Sequence, residues 1–424
     1  MVMTSRERVL CALNHKQPDM VPLDFAASPV TGIHASLVFK LRRQLGLPEK
    51  PVKIIECYQM LGEIDDELSR ALKIDIVKPL DQSSMFGFKL ENWKPWTLYD
   101  GTPVLVPEKF NTIPNENGDI YNYPEGDVTV RPSGRMPKKG LYFDAIIRHS
   151  EIDDDNLNVE DNMQEFGIFT EESLRYAEQA VNDLYCNTDK AIVAIPGGTA
   201  LGDIALVPAI QLKDPRGIRD VQEWYISLVT RRDYILELFD RQTELALENL
   251  RSYKDAVGNK IAVIYLCGTD LGTQIGPFCS VDTFDELYLP FYKRMTAWIH
   301  ENTKWKVFKH CCGSIEPLMP SMIEAGFDIL NPVQCSAANM DPVMLKQKYG
   351  DKLTFWGGGA DTQRTLPFGS PEQVREQVRE RIETFKPGGG FIFNTIHNAQ
   401  ADVPVENFLA MMEVFNKYRV YQPE

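Results

Sequence analysis

The sequence has no long apolar run and no excess of basic residues. No stretch reaches the roughly 20 unbroken apolar residues that a membrane-spanning helix needs, and the N-terminal segment MVMTSRERVL lacks the apolar centre of a signal peptide. Acidic residues outnumber basic ones, 60 to 45, which gives a net charge of −15. Nucleic acid or an anionic membrane would need a basic face, so we expect neither as a partner. We expect a cytoplasmic protein.

Several common catalytic motifs are also missing. The sequence contains no Gly-x-Ser-x-Gly elbow and no phosphate-binding loop, since the glycine triplets at 357–359 and 388–390 only flank predicted strands. The eight cysteines include no Cys-x-x-Cys pair. In a cytoplasmic protein they are expected to be thiols. Five of them stand alone in the sequence, as is typical of small buried side chains: Cys11, Cys57, Cys186, Cys267 and Cys279.

What is present is a regular alternation of strand and helix patterns. Eight short apolar runs predict strands at 21–25, 74–79, 191–195, 261–266, 307–309, 327–330, 353–356 and 391–393. From about residue 170 onward a helical pattern separates each strand from the next, which favours a parallel sheet with right-handed crossovers. Eight units predict a closed α/β barrel of the TIM (β/α)8 type, as a single domain over residues 1–424. An open doubly wound sheet is the alternative.

Residues 81–150 differ in character from the rest. They are rich in proline, glycine, tryptophan and tyrosine, and turn pairs such as Asp100-Gly101 and Asn117-Gly118 separate short alternating runs. This pattern predicts a β-hairpin-rich insertion within the barrel. Residues 54–73, just before it, carry apolar residues at helical spacing, which predicts a helix.

The stretch KVFKHCCGSIEPLMPSMIEAGFDILNPVQ, residues 306–334, carries the strongest chemical signal. His310 and Cys312 follow a predicted strand, and alternation along a strand places residues i and i+2 on the same face. Cys311 points the other way. Imidazole nitrogen and thiolate sulfur are the ligands that zinc prefers, so the pair predicts a zinc site. A Cys312–His397 nucleophile pair is conceivable, but the adjacent His310 on the same face favours metal.

The third ligand must come from elsewhere in the chain. In a parallel barrel the active site lies at the carboxyl ends of the strands, here called the mouth. His397 follows the last predicted strand and is our choice for the third ligand; Cys335 is the alternative and Asp361 a candidate fourth. Three protein ligands would leave one position open, as a catalytic zinc site requires.

Other polar side chains are predicted at the same mouth. We expect Asp270 and Gln274 to act as catalytic residues that orient a substrate. We expect Asn331, Gln334 and Gln363, each after a predicted strand, to contact it.

Four segments resemble the uroporphyrinogen decarboxylase-like superfamily, and together they span nearly the whole chain. They are TSRERVLCALNHKQPDMVPLDF, HCCGSIEPLMPSMIEAGFDILNPVQ, FWGGGADTQRTLPFGSPEQVRE and GGGFIFNTIHNAQADVPVENFLAMMEVF. The resemblance implies a TIM barrel, in agreement with the count of strands. It is far less specific to one activity within the superfamily.

Two branches of this superfamily compete. The decarboxylases carry an arginine-rich loop after the first strand, whereas residues 26–32 contain no arginine. The zinc-dependent corrinoid methyltransferases carry His-x-Cys at one strand end, which His310 and Cys312 match, and often a cysteine at the last strand, where this chain has His397. Asp361, Glu376 and His397 also resemble the E-x14-E-x20-H zinc pattern of related demethylating enzymes. Glu376, however, lies in a charged helical segment typical of an exposed surface.

The resemblance thus implies a zinc-dependent methyltransferase that moves a methyl group from a methoxylated or otherwise methylated small molecule to Co(I) of a separate corrinoid protein. A cobalamin-binding Asp-x-His-x-x-Gly motif is missing from the sequence, so a partner would supply the corrinoid. Three alternatives stay open: methyl transfer from the corrinoid to a thiol, a metal-free decarboxylase, and a non-catalytic tetrapyrrole-binding protein. A homodimer is one option for its assembly.

Overall fold

A computed structural model describes residues 3–149 and 151–421. Residue 150, where the predicted insertion ends, and the terminal residues of the predicted 1–424 domain lie outside the described residues. The strands are β1 Val52–Glu56, β2 Leu61–Gly62, β3 Ile76–Val77, β4 Lys94–Thr97, β5 Pro103–Val106, β6 Ile120–Asn122, β7 Gly134–Met136, β8 Asp144–Ala145, β9 Ala191–Ala194, β10 Val263–Cys267, β11 Lys306–His310, β12 Ile329–Asn331, β13 Thr354–Trp356 and β14 Phe391–Ile392.

Thirteen α-helices accompany these strands in the described part of the chain. They are α1 Ser5–Leu13, α2 Ala35–Gln44, α3 Asp66–Leu72, α4 Glu171–Asn187, α5 Val221–Thr230, α6 Arg232–Val257, α7 Val281–Leu287, α8 Leu289–Asn302, α9 Met319–Glu324, α10 Pro342–Tyr349, α11 Thr365–Phe368, α12 Pro371–Phe385 and α13 Val405–Tyr418. Over the described residues, none of them is long and apolar enough to cross a membrane.

Seven parallel strands form the main sheet, in the order β14-β13-β12-β11-β10-β9-β3. Residues 21–25 lie between its two ends. The Phe393 amide donates to the Pro22 carbonyl at 2.9 Å on one side, and the Asp75 amide donates to the Leu23 carbonyl at 2.9 Å on the other. This segment therefore completes the ring, and the predicted TIM-barrel-like α/β fold is confirmed.

The barrel strands bury both faces, as strands of a parallel barrel must. One face points into the barrel, where Phe308 and Trp356 pack with ring centroids 5.2 Å apart. The other face, which includes Val307 and Phe355, packs in the large core cluster shared with the helices. Because side chains alternate along β11, His310 lies on the inner face with Phe308.

Residues 52–145 contain two small sheets outside the barrel. One has the order β2-β1-β5-β4 and the other β6-β7-β8. The predicted helix over 54–73 is wrong for its first part, because β1 pairs in parallel with β5, about 50 residues away, and antiparallel with β2. Such distant pairing overrides local helical spacing. Only Asp66–Leu72 is helical.

Candidate metal centre

Three side chains converge at the mouth of the barrel. His310 ends β11, Cys312 follows two residues later, and His397 lies in the loop after β14. The Cys312 sulfur lies 3.3 Å from Nε2 of His310, and one ligand atom from each of the three residues lies within 4.8 Å of the other two. The two imidazole rings meet edge to face, with centroids 5.4 Å apart. Two nitrogens and one sulfur at this spacing can surround a single metal ion.

Asn331, at the end of β12, fixes the orientation of His310. Its Oδ1 lies 2.7 Å from Nδ1 of His310, while its Nδ2 donates to the Trp356 carbonyl at 2.9 Å. Because the amide nitrogen is used by Trp356, the amide oxygen faces the imidazole. Nδ1 of His310 then carries the proton, and Nε2 offers its lone pair towards Cys312. Asn331, predicted to bind substrate, is thus placed behind a metal ligand.

Both histidines are neutral in this buried setting. Burial lowers the pKa of His310. Burial also lowers the pKa of His397, to about 3, and repulsion between the two rings when both are protonated adds to this effect. Nδ1 of His397 accepts a hydrogen bond from the Asn398 amide at 2.8 Å. Coordination of a metal through Nδ1 would replace that hydrogen bond. Neutral imidazoles are the form that binds metal ions.

Cys312 sits among groups that oppose a free thiolate. Burial raises the pKa of the Cys312 thiol well above its ordinary value, and the charge of Asp270 raises it further. The Cys312 amide donates to Oδ1 of Asp270 at 2.6 Å, and Oδ1 of Asp270 lies 3.7 Å from Nε2 of His310. A divalent cation beside this sulfur would offset both effects, since a coordinating thiol loses its proton to the metal.

The turn after Cys312 is held from two sides. The Gly313 amide donates to Oε1 of Gln334 at 2.7 Å, so Gln334 supports the turn that carries the ligand. Gly313 has φ +91°, and a Cβ there would lie 2.4 Å from the backbone of Gly272. Only glycine fits this position.

Comparison with known proteins places most of this centre in a recognised family segment. Residues 211–418 match the family model described as uroporphyrinogen decarboxylase (URO-D). This match supports the superfamily resemblance seen in the sequence. The matching segment, called the URO-D segment below, contains His310, Cys312, His397 and Asp270.

Curated relatives and one solved structure extend the comparison. The uroporphyrinogen decarboxylase of Pseudoalteromonas translucida is 31% identical over 77 residues, 17% of this chain and 21% of the relative. That of Pseudoalteromonas atlantica is 29% identical over 73 residues, 17% of this chain and 20% of the relative. The matches thus span about a fifth of these relatives. A methyltransferase from Methanosarcina mazei aligns over 98% of this chain and 99% of its own, with a TM-score of 0.52 and 15% identity. At that identity the likeness shows the fold alone.

Asp203, just before the URO-D segment, is a mouth residue that the sequence reasoning missed. Burial, followed by the charge of Asp270, raises the pKa of Asp203 to about 6. A Cβ on Gly268 would lie 2.4 Å from Oδ2 of Asp203 and 2.6 Å from the Tyr265 hydroxyl, so both groups crowd the end of β10. Asp203 lies in the long loop after β9. The rule that polar residues after barrel strands face the mouth could have found it.

Other predicted site residues lie apart from the metal ligands. Within the described residues, Cys335 and Asp361 do not belong to a group spaced for a metal ion. Oδ1 of Asp361 accepts from the Gln363 amide at 2.9 Å, and the side chains of Gln363 and Gln274 are exposed. Glu376 is exposed on α12 and pairs with Arg379 at 2.6 Å.

Proposed function

We propose that this protein is a zinc-dependent methyltransferase, which moves a methyl group from a methoxylated or otherwise methylated small molecule to Co(I) of a separate corrinoid protein. The observation that carries the proposal is the convergence of His310, Cys312 and His397, with ligand atoms within 4.8 Å of one another. Two imidazoles and a thiolate form a ligand set that zinc accepts, and three protein ligands leave a position for substrate.

The surrounding residues fit a bound zinc ion. Asn331 directs Nε2 of His310 towards Cys312, and both histidines are neutral because their pKa values are lowered. Zinc held there would supply a Lewis acid for the substrate atom from which the methyl group departs. The methyltransferase from Methanosarcina mazei has the same overall fold, so this barrel is compatible with methyl transfer.

Two carboxyl groups of the mouth have roles in this proposal. Asp270, next to His310 and Cys312, orients the substrate through its second oxygen. Asp203, whose pKa is raised to about 6, stays partly protonated near neutral pH, and in this proposal it is the acid that protonates the departing oxygen. We retain Gln274 and Gln363 only as candidate contacts at the outer rim, since both side chains are exposed.

Decarboxylation is the second candidate function, because the family model and the curated relatives carry that name. Residues 26–32, after the first barrel strand, contain no arginine to hold the carboxylates of a porphyrinogen. A metal-free decarboxylation would also not require His310, Cys312 and His397 at a spacing suited to one metal ion. Transfer from a methylated corrinoid to a thiol uses the same ligand set and is distinguished only by the methyl acceptor.

Metal analysis combined with cobalt spectroscopy tests the proposal. The protein, purified without chelator, is expected to hold about one zinc per chain and to consume Co(I) of a reduced corrinoid protein when a methoxylated aromatic or a methylamine is supplied. His310→Ala should lose both properties. His300→Ala is the matched control, because His300 pairs with Asp328 on the exposed surface. A zinc-free protein whose His310→Ala variant behaves as the parent does would refute the proposal.

A further inference from the structure

A cleft of about 470 Å³ opens at the mouth of the barrel. It is bordered by residues that follow the first three barrel strands, among them Pro29, Lys78 and Pro196. Its volume lies within the range of about 300–1,000 Å³ that is typical of small-molecule sites. None of the candidate residues predicted from the sequence lines it.

Hydrogen bonds connect this cleft to the metal centre. The Pro29 carbonyl, at the cleft wall, accepts from Nδ2 of Asn398 at 2.8 Å and from Nε2 of Gln59 at 3.1 Å. Asn398 directly follows His397 and donates its amide to that ring at 2.8 Å. The wall of the cleft at Pro29 is therefore joined through Asn398 to the loop that carries His397.

The cleft is lined by apolar and aromatic side chains. Phe169 and Tyr253 meet edge to face with centroids 6.4 Å apart, and Tyr176 lies on the same side through α4. Leu174 and Leu206 add aliphatic surface. Such walls suit a flat, uncharged ring, since burying apolar surface is the main source of affinity in a pocket of this kind.

Acidic side chains outnumber basic ones among the residues that line the cleft. Lys78 is the cation among the lining residues, and its ammonium already pairs with Asp81 at 2.6 Å. Glu56 accepts backbone hydrogen bonds from Tyr58 at 3.0 Å and Gln59 at 2.6 Å, and over the described residues no basic side chain forms a salt bridge with it. A carboxylate ligand would meet the charge of Glu56 with no free cation to compensate.

We propose that this cleft binds the methyl donor as an uncharged methoxylated phenol whose hydroxyl donates to Glu56, and that it discriminates against donors carrying a carboxylate. Calling the ligand a methyl donor depends on the proposed function, whereas the binding preference does not. Burial, with the charge of Asp81 adding to it, raises the pKa of Glu56 to about 7. The preference is therefore measured well above pH 7, where Glu56 is ionised.

Calorimetry on the zinc-loaded protein, without a corrinoid protein, tests the binding preference. Ortho-methoxyphenol is expected to bind at least about tenfold more tightly than its para-carboxylated analogue, a difference of about 1.4 kcal/mol. Glu56→Gln keeps a hydrogen-bond acceptor but removes the charge. It should therefore reduce the difference in affinity between the two compounds. Asp81→Asn frees Lys78 and should improve binding of the carboxylated analogue. Glu383→Gln, on the exposed face of α12, is the control and should leave both affinities unchanged.

The site itself is tested by filling it. Ala177→Trp places an indole in the cleft and should abolish binding of ortho-methoxyphenol. If that variant folds poorly, Ser173→Trp, one turn away on α4, provides the same test. Equal affinity for the two compounds, or binding that survives a folded cleft-filling variant, would overturn the inference. Binding as expected without any methyl transfer to Co(I) would instead overturn the proposed function and leave the cleft assignment standing.

Discussion

At the scale of single residues, the metal centre depends on Asn331 as well as on the three ligands. The Asn331 amide is held by the Trp356 carbonyl at 2.9 Å, and this contact decides which of its two polar atoms faces His310. The resulting 2.7 Å contact to Nδ1 selects the tautomer in which Nε2 can bind a metal. Asn331 would thus set the form in which His310 is able to bind a metal, without being a candidate ligand itself.

Asn331→Leu, which keeps the size of the side chain but removes the acceptor, should weaken zinc binding by about 10–100-fold. Competition with a chromogenic chelator measures this change. Asn331→Asp retains an oxygen towards Nδ1 and should stay close to the parent, whereas Asn416→Leu, on the exposed face of α13, controls for a general effect of the substitution. If zinc affinity fell equally in the leucine and aspartate variants, the orientation of His310 would not explain the effect of Asn331 on zinc binding.

At the scale of elements, a buried carboxylate joins the two ends of the barrel. Oδ1 of Asp75 lies 2.6 Å from Nη1 of Arg8 in α1, and Oδ2 lies 2.9 Å from Nη2 of Arg419, just after α13. Oδ2 also accepts from the Leu23 amide at 2.9 Å, in the segment that completes the ring. Asp75 therefore fixes α1, residues 21–25, β3 and the C-terminal helix to one another.

Asp75→Ala should destabilise the fold by about 3–5 kcal/mol, because it leaves the buried guanidinium of Arg419 without its carboxylate and leaves Arg8 with Asp19 alone. Urea denaturation followed by circular dichroism measures the free energy of unfolding. Glu376→Ala removes an exposed carboxylate that pairs with Arg379 and should change that free energy by less than about 1 kcal/mol. If Asp75→Ala lowered the free energy of unfolding no more than Glu376→Ala does, the role given to this network would be contradicted.

At the scale of the whole molecule, the three candidate metal ligands come from distant parts of the chain. His310 and Cys312 belong to β11 and its loop, whereas His397 follows β14, three strands farther round the ring. An ion bound by all three would bind the folded state and not the unfolded chain, and so would stabilise the barrel by mass action.

Zinc at about 100 times its dissociation constant should stabilise the fold by about 2.7 kcal/mol, seen as a rise in Tm that a chelator reverses. The rise should grow with pH. Cys312 must lose its proton to bind zinc, and its raised pKa keeps that proton on near neutral pH, so affinity increases as pH rises and falls as pH falls. Because the pKa values of His310 and His397 are lowered, neither imidazole needs to lose a proton before it binds zinc. If a chelator still changed the Tm of His397→Ala, binding of one ion by His310, Cys312 and His397 together would be contradicted.

The local pattern of apolar and polar residues was sufficient to predict the barrel strands and the grouping of the candidate metal ligands. The seven strands of the main sheet and the segment at 21–25 that completes the ring were predictable from apolar runs, because a segment buried on both faces needs such a run whatever its neighbours are. The pairing of His310 and Cys312 on one face follows from alternation along β11, and the placement of His397 near them follows from the shared edge of parallel strands.

Tertiary structure alone decided the rest. The strands at 52–62 replaced a predicted helix because their partners are distant in sequence, and the periodicity of a segment carries no information about such partners. The contact of Asn331 with His310, the carboxyl of Asp203 at the mouth, and the cleft beside Glu56 depend on how irregular loops fold back over the barrel. The sequence by itself determined which segments form the ring and which candidate ligands lie at its mouth. The packing of the loops determined which groups surround those ligands, because loops have no repeating pattern from which their course can be predicted.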